Sequence, residues 1–104
     1  MPDFTDRIRQ EVARNNYIVS HHAIVRMGLR QVLEEEVIQT ILDGEVIERL
    51  PRAKPYPKCL FMYPVRPDEP LYVSCGFDGR RAYIITAHWF DPEKWIDWRT
   101  RRRR

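Results

Sequence analysis

Long apolar runs, cysteine and lysine are scarce in this sequence, and each shortage excludes a class of protein. No apolar run approaches the roughly 18 to 20 residues that a membrane-spanning helix requires, and the opening MPDFTDRIRQ has no signal-peptide core. The two cysteines, Cys59 and Cys75, stand in no CxxC or Cys/His spacing of the kind that binds zinc. We therefore expect a cytoplasmic protein without a metal or other cofactor, in which both cysteines are small buried hydrophobic residues.

The basic residues are mostly arginine and are concentrated at one end of the chain. Of the 18 basic residues only three are lysine, and the planar guanidinium of arginine suits phosphate better than the lysine ammonium does. The formal net charge is +3, yet acidic residues outnumber basic ones over residues 1–98. We therefore predict a single domain over residues 1–98 and an arginine-rich tail over residues 99–104, which is either a phosphate-binding arm or a disordered end of the chain.

The first half of the sequence has the periodicity of helices. Apolar residues recur every three to four positions over residues 4–15, 20–30 and 33–43, which predicts three helices. Ser20 is a good N-cap for the second helix, and Gly44 is expected to end the third. Between the first two helices, residues 17–19 are expected to be extended.

From Glu45 onward the apolar period becomes two, which predicts strands near residues 45–50, 58–65, 70–77 and 80–89. Asp78-Gly79 predicts a two-residue hairpin turn between the last two strands. Asp91-Pro92 predicts the start of a short C-terminal helix that continues through Trp98. The predicted fold is α+β, with the N-terminal helices packed on a four-stranded antiparallel sheet.

A two-residue turn at Asp78-Gly79 would also fix which residues share a face of the sheet. His88 would lie on the same face as Leu71 and Val73, whereas Tyr72 would lie on the opposite face. The face of Leu71 and Val73 is the more apolar, so we expect the helices to cover it. Tyr72 and His88 would then share a site only if they met at the rim of the sheet.

The stretch SHHAIVRMGLR contains the main candidate site. His22, Arg26 and Arg30 stand four residues apart, so they form one slightly drifting stripe on a helix. The stripe is either a solvated basic face, pairing with residues 34–36 of the next helix, or a set of proton-transfer and phosphate-holding groups. The sheet could complete such a site with four further side chains: Lys58, Tyr72, Tyr83 and His88.

Several segments, in this order, resemble a bacterial family catalogued as domain of unknown function 4258. The resemblance covers roughly residues 17–95 and rests on SHHAIVRM followed by Arg30, and on EEEVIQTILDGEVIERLP, PYPKCLFM, PLYVSCGFD and YIITAHWFDPEKW. The family in turn resembles the RelE- and BrnT-like group of small toxins, which cut RNA without a metal and pair with an antitoxin. Many relatives carry histidine where this sequence has Tyr72, and more often tyrosine where it has His88.

The resemblance implies a metal-independent endoribonuclease, with RNA as its substrate and an antitoxin as its protein partner. In this interpretation His22 is either the base or the acid, the helix dipole favouring a neutral base, and His88 is its partner. Arg26 and Arg30 stabilise the charge that grows on the phosphate. Substrate-binding roles are expected for Lys58, Tyr72, Tyr83, Arg101 and Arg102. One alternative is a non-catalytic module of the same fold that binds nucleic acid or an acidic protein. Another is a stable relative that has lost the chemistry.

Overall fold

Residues 3–103 are described by a computed structural model, and they form three helices and a five-stranded sheet. The helices are α1 (Phe4–Ala13), α2 (His21–Arg30) and α3 (Glu34–Asp43). The strands are β1 (Tyr17–Val19), β2 (Glu45–Leu50), β3 (Lys58–Arg66), β4 (Glu69–Phe77) and β5 (Ala82–Trp89). The predicted α+β class is confirmed. None of the helices in this part of the chain is long and apolar enough to cross a membrane.

Capping groups that the sequence supplies start and end the helices beside the candidate site. The Ser20 hydroxyl accepts a hydrogen bond from the Ala23 backbone N–H at 3.0 Å and starts α2. Gln31 ends α2 in the left-handed conformation, with φ of 55°. The Glu36 carboxylate accepts a hydrogen bond from the Leu33 backbone N–H at 3.0 Å at the start of α3. The boundaries of α2 and α3 therefore follow from local chemistry.

The main hydrophobic core lies between the helices and one face of the sheet, which we call the helix-covered face. It includes Ile8, Val12, Ala23, Met27, Val37, Ile41, Phe61, Leu71, Val73, Cys75 and Ile84. The prediction that the helices cover the face of Leu71 and Val73 is therefore confirmed. Each large apolar side chain buried in this way stabilises the fold by roughly 1.5–3 kcal/mol. Cys59 and Cys75 are both buried free thiols, as predicted.

The opposite face of the sheet, which we call the open face, is covered only in part. A smaller cluster of Leu60, Met62, Tyr72 and Trp95 lies there. Trp95 belongs to the segment after β5, and this segment folds back over one part of the open face. The remainder of this face borders the candidate site.

The prediction of four antiparallel strands is wrong, because the sheet is mixed and has a fifth strand. The strand order is β1-β5-β4-β3-β2, and β1 pairs with β5 in parallel. Residues 17–19 are extended as predicted, and they pair with residues 82–84. A three-residue strand is too short for its own periodicity to indicate pairing with a segment 65 residues away in the chain.

The prediction of a C-terminal helix is also wrong. Residues 91–102 instead form a series of turns closed by an antiparallel bridge between Trp95 and Arg101. The Asp97 carboxylate accepts hydrogen bonds from the backbone N–H groups of Arg99 and Thr100, both at 2.8 Å. Such a side-chain bond offers the backbone an alternative to the helical hydrogen-bond pattern.

The arginines that follow Trp98 contact the domain. Arg99 binds Glu45, and Arg101 binds Glu48 through two hydrogen bonds of 2.9 and 2.8 Å. Both glutamates lie on β2. Arg99 and Arg101 therefore contact the sheet through ion pairs with β2.

The turn between β4 and β5 is longer than predicted. Asp78 and Gly79 do lie in it, and Gly79 has the left-handed φ of 98° that favours glycine. However, the Asp78 carboxylate accepts hydrogen bonds from the backbone N–H groups of Arg80 and Arg81 at 2.8 and 2.9 Å. This side-chain bonding stabilises a four-residue turn, so β5 begins at Ala82.

A β-bulge at Ile85 then changes the face to which the end of β5 belongs. Cys75 pairs with Ile84, whereas Ser74 pairs with Thr86, so Ile85 is an extra residue in β5. Because successive side chains alternate between faces, one extra residue moves every later side chain to the other face.

His88 consequently lies on the open face, directly opposite Tyr72 in the register of β4 and β5. The prediction that His88 shares a face with Leu71 and Val73 and is separated from Tyr72 is wrong. The cause is the bulge at Ile85, which nothing in the sequence of the turn indicates.

Candidate functional site

A pocket of about 420 Å³ opens on the uncovered part of the open face. Helix α2 contributes His22, Arg26 and Arg30 to its lining. The sheet contributes Lys58, Leu60, Ser74, Thr86 and His88, with Glu48 and Leu50 at the β2 edge. The segment after β5 contributes Lys94 and Arg101. The whole predicted stripe therefore faces one concave site together with His88 and Lys58.

The first turn of α2 is attached to the bulge on β5. The Ser20 hydroxyl, which caps α2, donates a hydrogen bond to the carbonyl of Ile85 at 3.1 Å. The Ser20 backbone N–H donates to the carbonyl of Ile84 at 3.0 Å. The irregularity that turns His88 toward the open face thus also anchors the helix that bears His22.

The other end of α2 is fixed to β5 by two further hydrogen bonds. The Arg30 guanidinium donates to the carbonyl of Ala87 at 2.8 Å, and the indole N–H of Trp89 donates to the carbonyl of Arg30 at 2.8 Å. Between the two ends, Ala23 and Met27 are buried in the main core. Because one side of α2 is buried there, the stripe on a neighbouring side is directed toward the pocket.

The stripe is not neutralised by the acidic start of α3. Glu36 pairs with Arg66, and Glu34 accepts a hydrogen bond from the hydroxyl of Tyr17 at 2.6 Å. Among the residues described, no ion pair joins residues 34–36 to the stripe. This arrangement disfavours the interpretation of the stripe as a face that pairs with the next helix.

His88 is partly buried and stacks on Tyr72, with ring centroids 5.1 Å apart and ring planes within 4° of parallel. The pKa of His88 is lowered from 6.5 to about 4, chiefly by burial. The positive charges of Arg30, Lys94 and Arg101 also lower this pKa, and the Asp91 carboxylate opposes them. The imidazole is therefore neutral at pH 7 while the pocket is empty. A bound phosphate would offset these cations and raise the pKa of His88 toward neutrality.

Tyr72 stacks against His88 but does not itself line the pocket. Its side chain is fully buried, and its hydroxyl donates a hydrogen bond to the carbonyl of Trp98 at 2.6 Å. Burial raises the pKa of Tyr72 to about 12, and the carboxylate of Asp97 adds to this effect. Tyr72 and His88 are direct register partners on β4 and β5.

Tyr83 is not brought into the pocket. It stacks on Tyr56 with ring centroids 5.1 Å apart, and its hydroxyl donates to the Asp78 carboxylate at 2.8 Å. Backbone hydrogen bonds from Arg81 and Arg80, together with this hydroxyl, lower the pKa of Asp78 to about 2. Tyr83 therefore stabilises the turn that precedes β5, at the end of that strand away from His88.

The two predicted tail residues have different positions. Arg101 lines the pocket, but it is paired with Glu48 and its guanidinium lies 4.6 Å from the ring centroid of Trp95. Arg102 lines an adjoining groove, and its Nε donates to the carbonyl of Pro92 at 2.7 Å. Of the two, only Arg101 contributes directly to the central pocket.

Four polar or charged residues of the pocket were not predicted from the sequence: Glu48, Ser74, Thr86 and Lys94. Ser74 and Thr86 are direct register partners, and they form part of the floor between α2 and β3. A polar residue on an otherwise apolar strand was their only signal in the sequence. Lys94 is placed by the turns after β5, which replaced the predicted helix.

The electrostatics of the pocket favour an anion. Of the described residues that line it, one carries a negative charge, Glu48, and five carry a permanent positive charge: Arg26, Arg30, Lys58, Lys94 and Arg101. A concave, positively charged site with convergent N–H donors binds phosphate groups well. Over residues 3–103 there is no group of three or more His, Cys, Asp or Glu side chains that could hold a metal ion.

Comparison with known families gives one match. The family model described as domain of unknown function (DUF4258) matches residues 19–89, which include α2, α3 and the strands β2 to β5. No curated protein and no solved structure matches the chain.

Proposed function

Since the chain belongs to the DUF4258 family, whose description assigns no chemistry, we propose a function from the pocket itself. The proposed function is metal-independent cleavage of RNA, by a toxin-like endoribonuclease of the RelE and BrnT type. The observation that carries the proposal is that two imidazoles, His22 and His88, line one pocket together with five cationic side chains. Metal-free cleavage of RNA requires these groups: a base, an acid, and cations that hold the phosphate.

The step assigned to the pocket is transfer of the phosphate to the neighbouring ribose hydroxyl. One imidazole takes the proton of the 2′-hydroxyl, the 2′-oxygen bonds to phosphorus, and the bond from phosphorus to the 5′-oxygen breaks. The other imidazole donates a proton to the departing 5′-oxygen. The products are a 2′,3′-cyclic phosphate and a 5′-hydroxyl.

The two histidines fit different roles in this step. His88 is neutral before substrate binds, because its pKa is about 4, so it fits the role of the base. The phosphate would raise that pKa and so strengthen the base once RNA is bound. His22 is exposed and is assigned the role of the acid. Arg26 and Arg30 can bind phosphate oxygens through their planar guanidinium groups.

A second candidate function is a non-catalytic module that binds nucleic acid or an acidic protein through the same pocket. It is favoured by the low pKa of His88, since an acid–base group works best when its pKa is near the working pH. It is favoured also by the ion pair between Arg101 and Glu48, because the paired guanidinium is less available to bind a substrate phosphate. In this alternative the pocket binds phosphate or carboxylate, but RNA is not cut.

An antitoxin partner and a cytoplasmic location belong to the same proposal. The exposed apolar side chains of α2, Ile24, Val25 and Leu29, are the surface that we assign to such a partner. They lie on the helix that bears the stripe, so a protein bound there would also restrict access to the pocket. A nuclease of this kind would meet messenger RNA in the cytoplasm.

The proposal is tested by product analysis with purified protein. Single-stranded RNA and its 2′-O-methyl counterpart are incubated separately with the protein, in the presence of EDTA. The expected result is cleavage of the RNA to 2′,3′-cyclic phosphate ends and no cleavage of the 2′-O-methyl strand, which lacks the nucleophile. Loss of cleavage on chelation, or cleavage of the 2′-O-methyl strand, would show that the mechanism is wrong. Binding of both strands with cleavage of neither would favour the second candidate.

A further inference from the structure

The central pocket adjoins two other concavities, and the three share lining residues. A concavity of about 290 Å³ shares Arg30, His88 and Lys94 with the central pocket. A groove of about 490 Å³ on the other side shares Lys94 and Arg101 with it. Lys94 therefore lies where all three meet, and a ligand in the central pocket can extend in two directions.

The smaller concavity is lined by aromatic rings and a carboxylate. Trp89 is held rigidly there, because its indole N–H bonds to the Arg30 carbonyl and the Arg66 guanidinium lies 4.4 Å from its ring centroid. Phe90 is partly buried and packs against Tyr72, with ring centroids 6.5 Å apart. Asp91 adds a carboxylate. The ring of Trp89 packs against the main core. The ring of Phe90, beside the Asp91 carboxylate as a hydrogen-bond acceptor, therefore suits a flat base with an exocyclic amine.

The groove on the other side is lined by charge alone. Its residues are Glu93, Lys94, Arg101, Arg102 and Arg103. The backbone N–H of Arg102 donates to the carbonyl of Lys94 at 2.8 Å, which holds this part of the chain in place. The described residues of this groove include four cations and no aromatic ring, a composition that suits the phosphates of a backbone better than the bases.

We propose that the three concavities form one track for a single-stranded polynucleotide. The base on one side of the central phosphate stacks on Phe90, and the phosphates on the other side follow Arg102 and Arg103. This inference rests on the proposed function and deepens it, because it names the substrate as an extended single strand. A mononucleotide or a base-paired stem would not fill the track, since a paired base is not available to stack.

The test measures binding of 2′-O-methyl oligonucleotides, which cannot be cleaved through the 2′-oxygen, so that binding is separated from chemistry. We expect an octanucleotide to bind the wild-type protein much more tightly than a dinucleotide, and a hairpin stem of equal charge to bind less tightly than the octanucleotide. Phe90→Ala is expected to weaken binding of the octanucleotide about 5- to 150-fold, the usual contribution of one stacked base. Phe90→Leu, which keeps an apolar side chain next to Tyr72, tests the same loss of stacking in a protein with less disturbed packing.

The groove is tested by the salt dependence of the same binding. Arg102→Gln with Arg103→Gln should reduce the slope of log affinity against log salt by about 0.7 for each phosphate that the variant no longer neutralises. The matched control is Arg80→Gln with Arg81→Gln, which removes the same charge from the exposed turn at the opposite end of β5.

Each outcome separates this inference from the proposed function. Length-dependent binding without any cleavage would support the track and contradict the nuclease. Cleavage combined with equal affinity for dinucleotide and octanucleotide would contradict the track and leave the nuclease in place. An equal salt slope for the two double variants would also overturn the track, as would tighter binding of the stem.

Discussion

The helix-covered face and the open face of the sheet are built from alternate residues of the same strands, but they differ in what covers them. On the helix-covered face, apolar residues from all three helices pack against Phe61, Leu71 and Val73. On the open face, Trp95 covers one part and another part is a polar pocket. The helix-covered face supplies stability, whereas the open face directs charged groups into a concave site where they can bind a ligand.

The two faces are connected through α2. Ala23 and Met27 are buried in the main core, while His22 and Arg26 of the same helix line the pocket. The positions of the pocket residues therefore depend on the packing of the opposite face. We expect substitutions on the helix-covered face to change stability, and substitutions on the open face to change ligand binding.

Ile41→Ala on the helix-covered face should have the largest effect on stability. Ile41 is fully buried, so its truncation removes apolar packing and leaves a cavity. We expect a decrease of about 2–5 kcal/mol in the free energy of unfolding, measured by urea denaturation. Leu42→Ala, on the next, exposed residue, is the control and should cost far less. Equal decreases for the two variants would contradict the assignment of the core.

Acidification should destabilise the protein through His88. The unfolded chain binds this proton with a pKa near 6.5, whereas the folded chain binds it only near pH 4, so the unfolded state holds more protons in between. Stability is therefore full above pH 6.5 and falls as the pH is lowered toward 4, by an amount on the order of 3 kcal/mol. In His88→Asn this component should vanish from the pH dependence of unfolding. Identical pH profiles for the two proteins would show that His88 is not held neutral.

A bound phosphate group should raise the lowered pKa of His88 part of the way back. In a titration followed by NMR, the pKa of His88 is expected to be about 4 in the free protein and to rise when a 2′-O-methyl oligonucleotide is added. A pKa that stays constant on binding would place the phosphate away from His88.

Arg26→Lys tests the contribution of the guanidinium group on the open face. The variant keeps the charge but loses the planar guanidinium, so we expect phosphate binding and cleavage to fall by roughly tenfold, the equivalent of about 1.4 kcal/mol. Arg80→Lys, in the exposed turn before β5, serves as the control and should behave as wild type. Unfolding should be unchanged in both. A drop of the same size in the control would mean that the loss does not depend on the position of Arg26 in the pocket.

The smallest effect is expected from the ion pair between the C-terminal segment and β2. Arg101→Gln removes a pair with Glu48 whose side chains are 50% and 31% exposed. Exposed pairs of this kind stabilise by about 0–1 kcal/mol, so thermal unfolding should shift only slightly. A large decrease in stability would show that the segment after β5 is part of the core that closes the open face.

Local features of the structure could be predicted from the sequence. Ser20 and Gly44 gave the limits of α2 and α3, because capping depends on adjacent residues. The strands near β2 to β5 followed from period-two patterns, and the stripe of α2 followed from helical spacing. The convergence of His22, Arg26, Arg30 and Lys58 on one pocket agrees with the hypothesis drawn from that stripe.

Features that depend on distant contacts could not be predicted. The face of His88 depends on the bulge at Ile85, and the carbonyl of that residue is held by Ser20, 65 positions earlier. The turns of residues 91–102 depend on hydrogen bonds to Asp97 and on ion pairs with β2. These contacts stabilise turns in place of the helix that Asp91-Pro92 predicts. Lys94 was missed because its position depends on those turns.

The most direct test of the account compares two adjacent histidines on α2. His22 lines the pocket, whereas His21 is also exposed but lies outside it. The cleavage rate and the free energy of unfolding are measured for His22→Ala and His21→Ala. The account predicts a decrease of about 10²–10⁴-fold in cleavage for His22→Ala alone, with little change in stability for either variant. A destabilised His22→Ala that still cleaves RNA at the wild-type rate would contradict it.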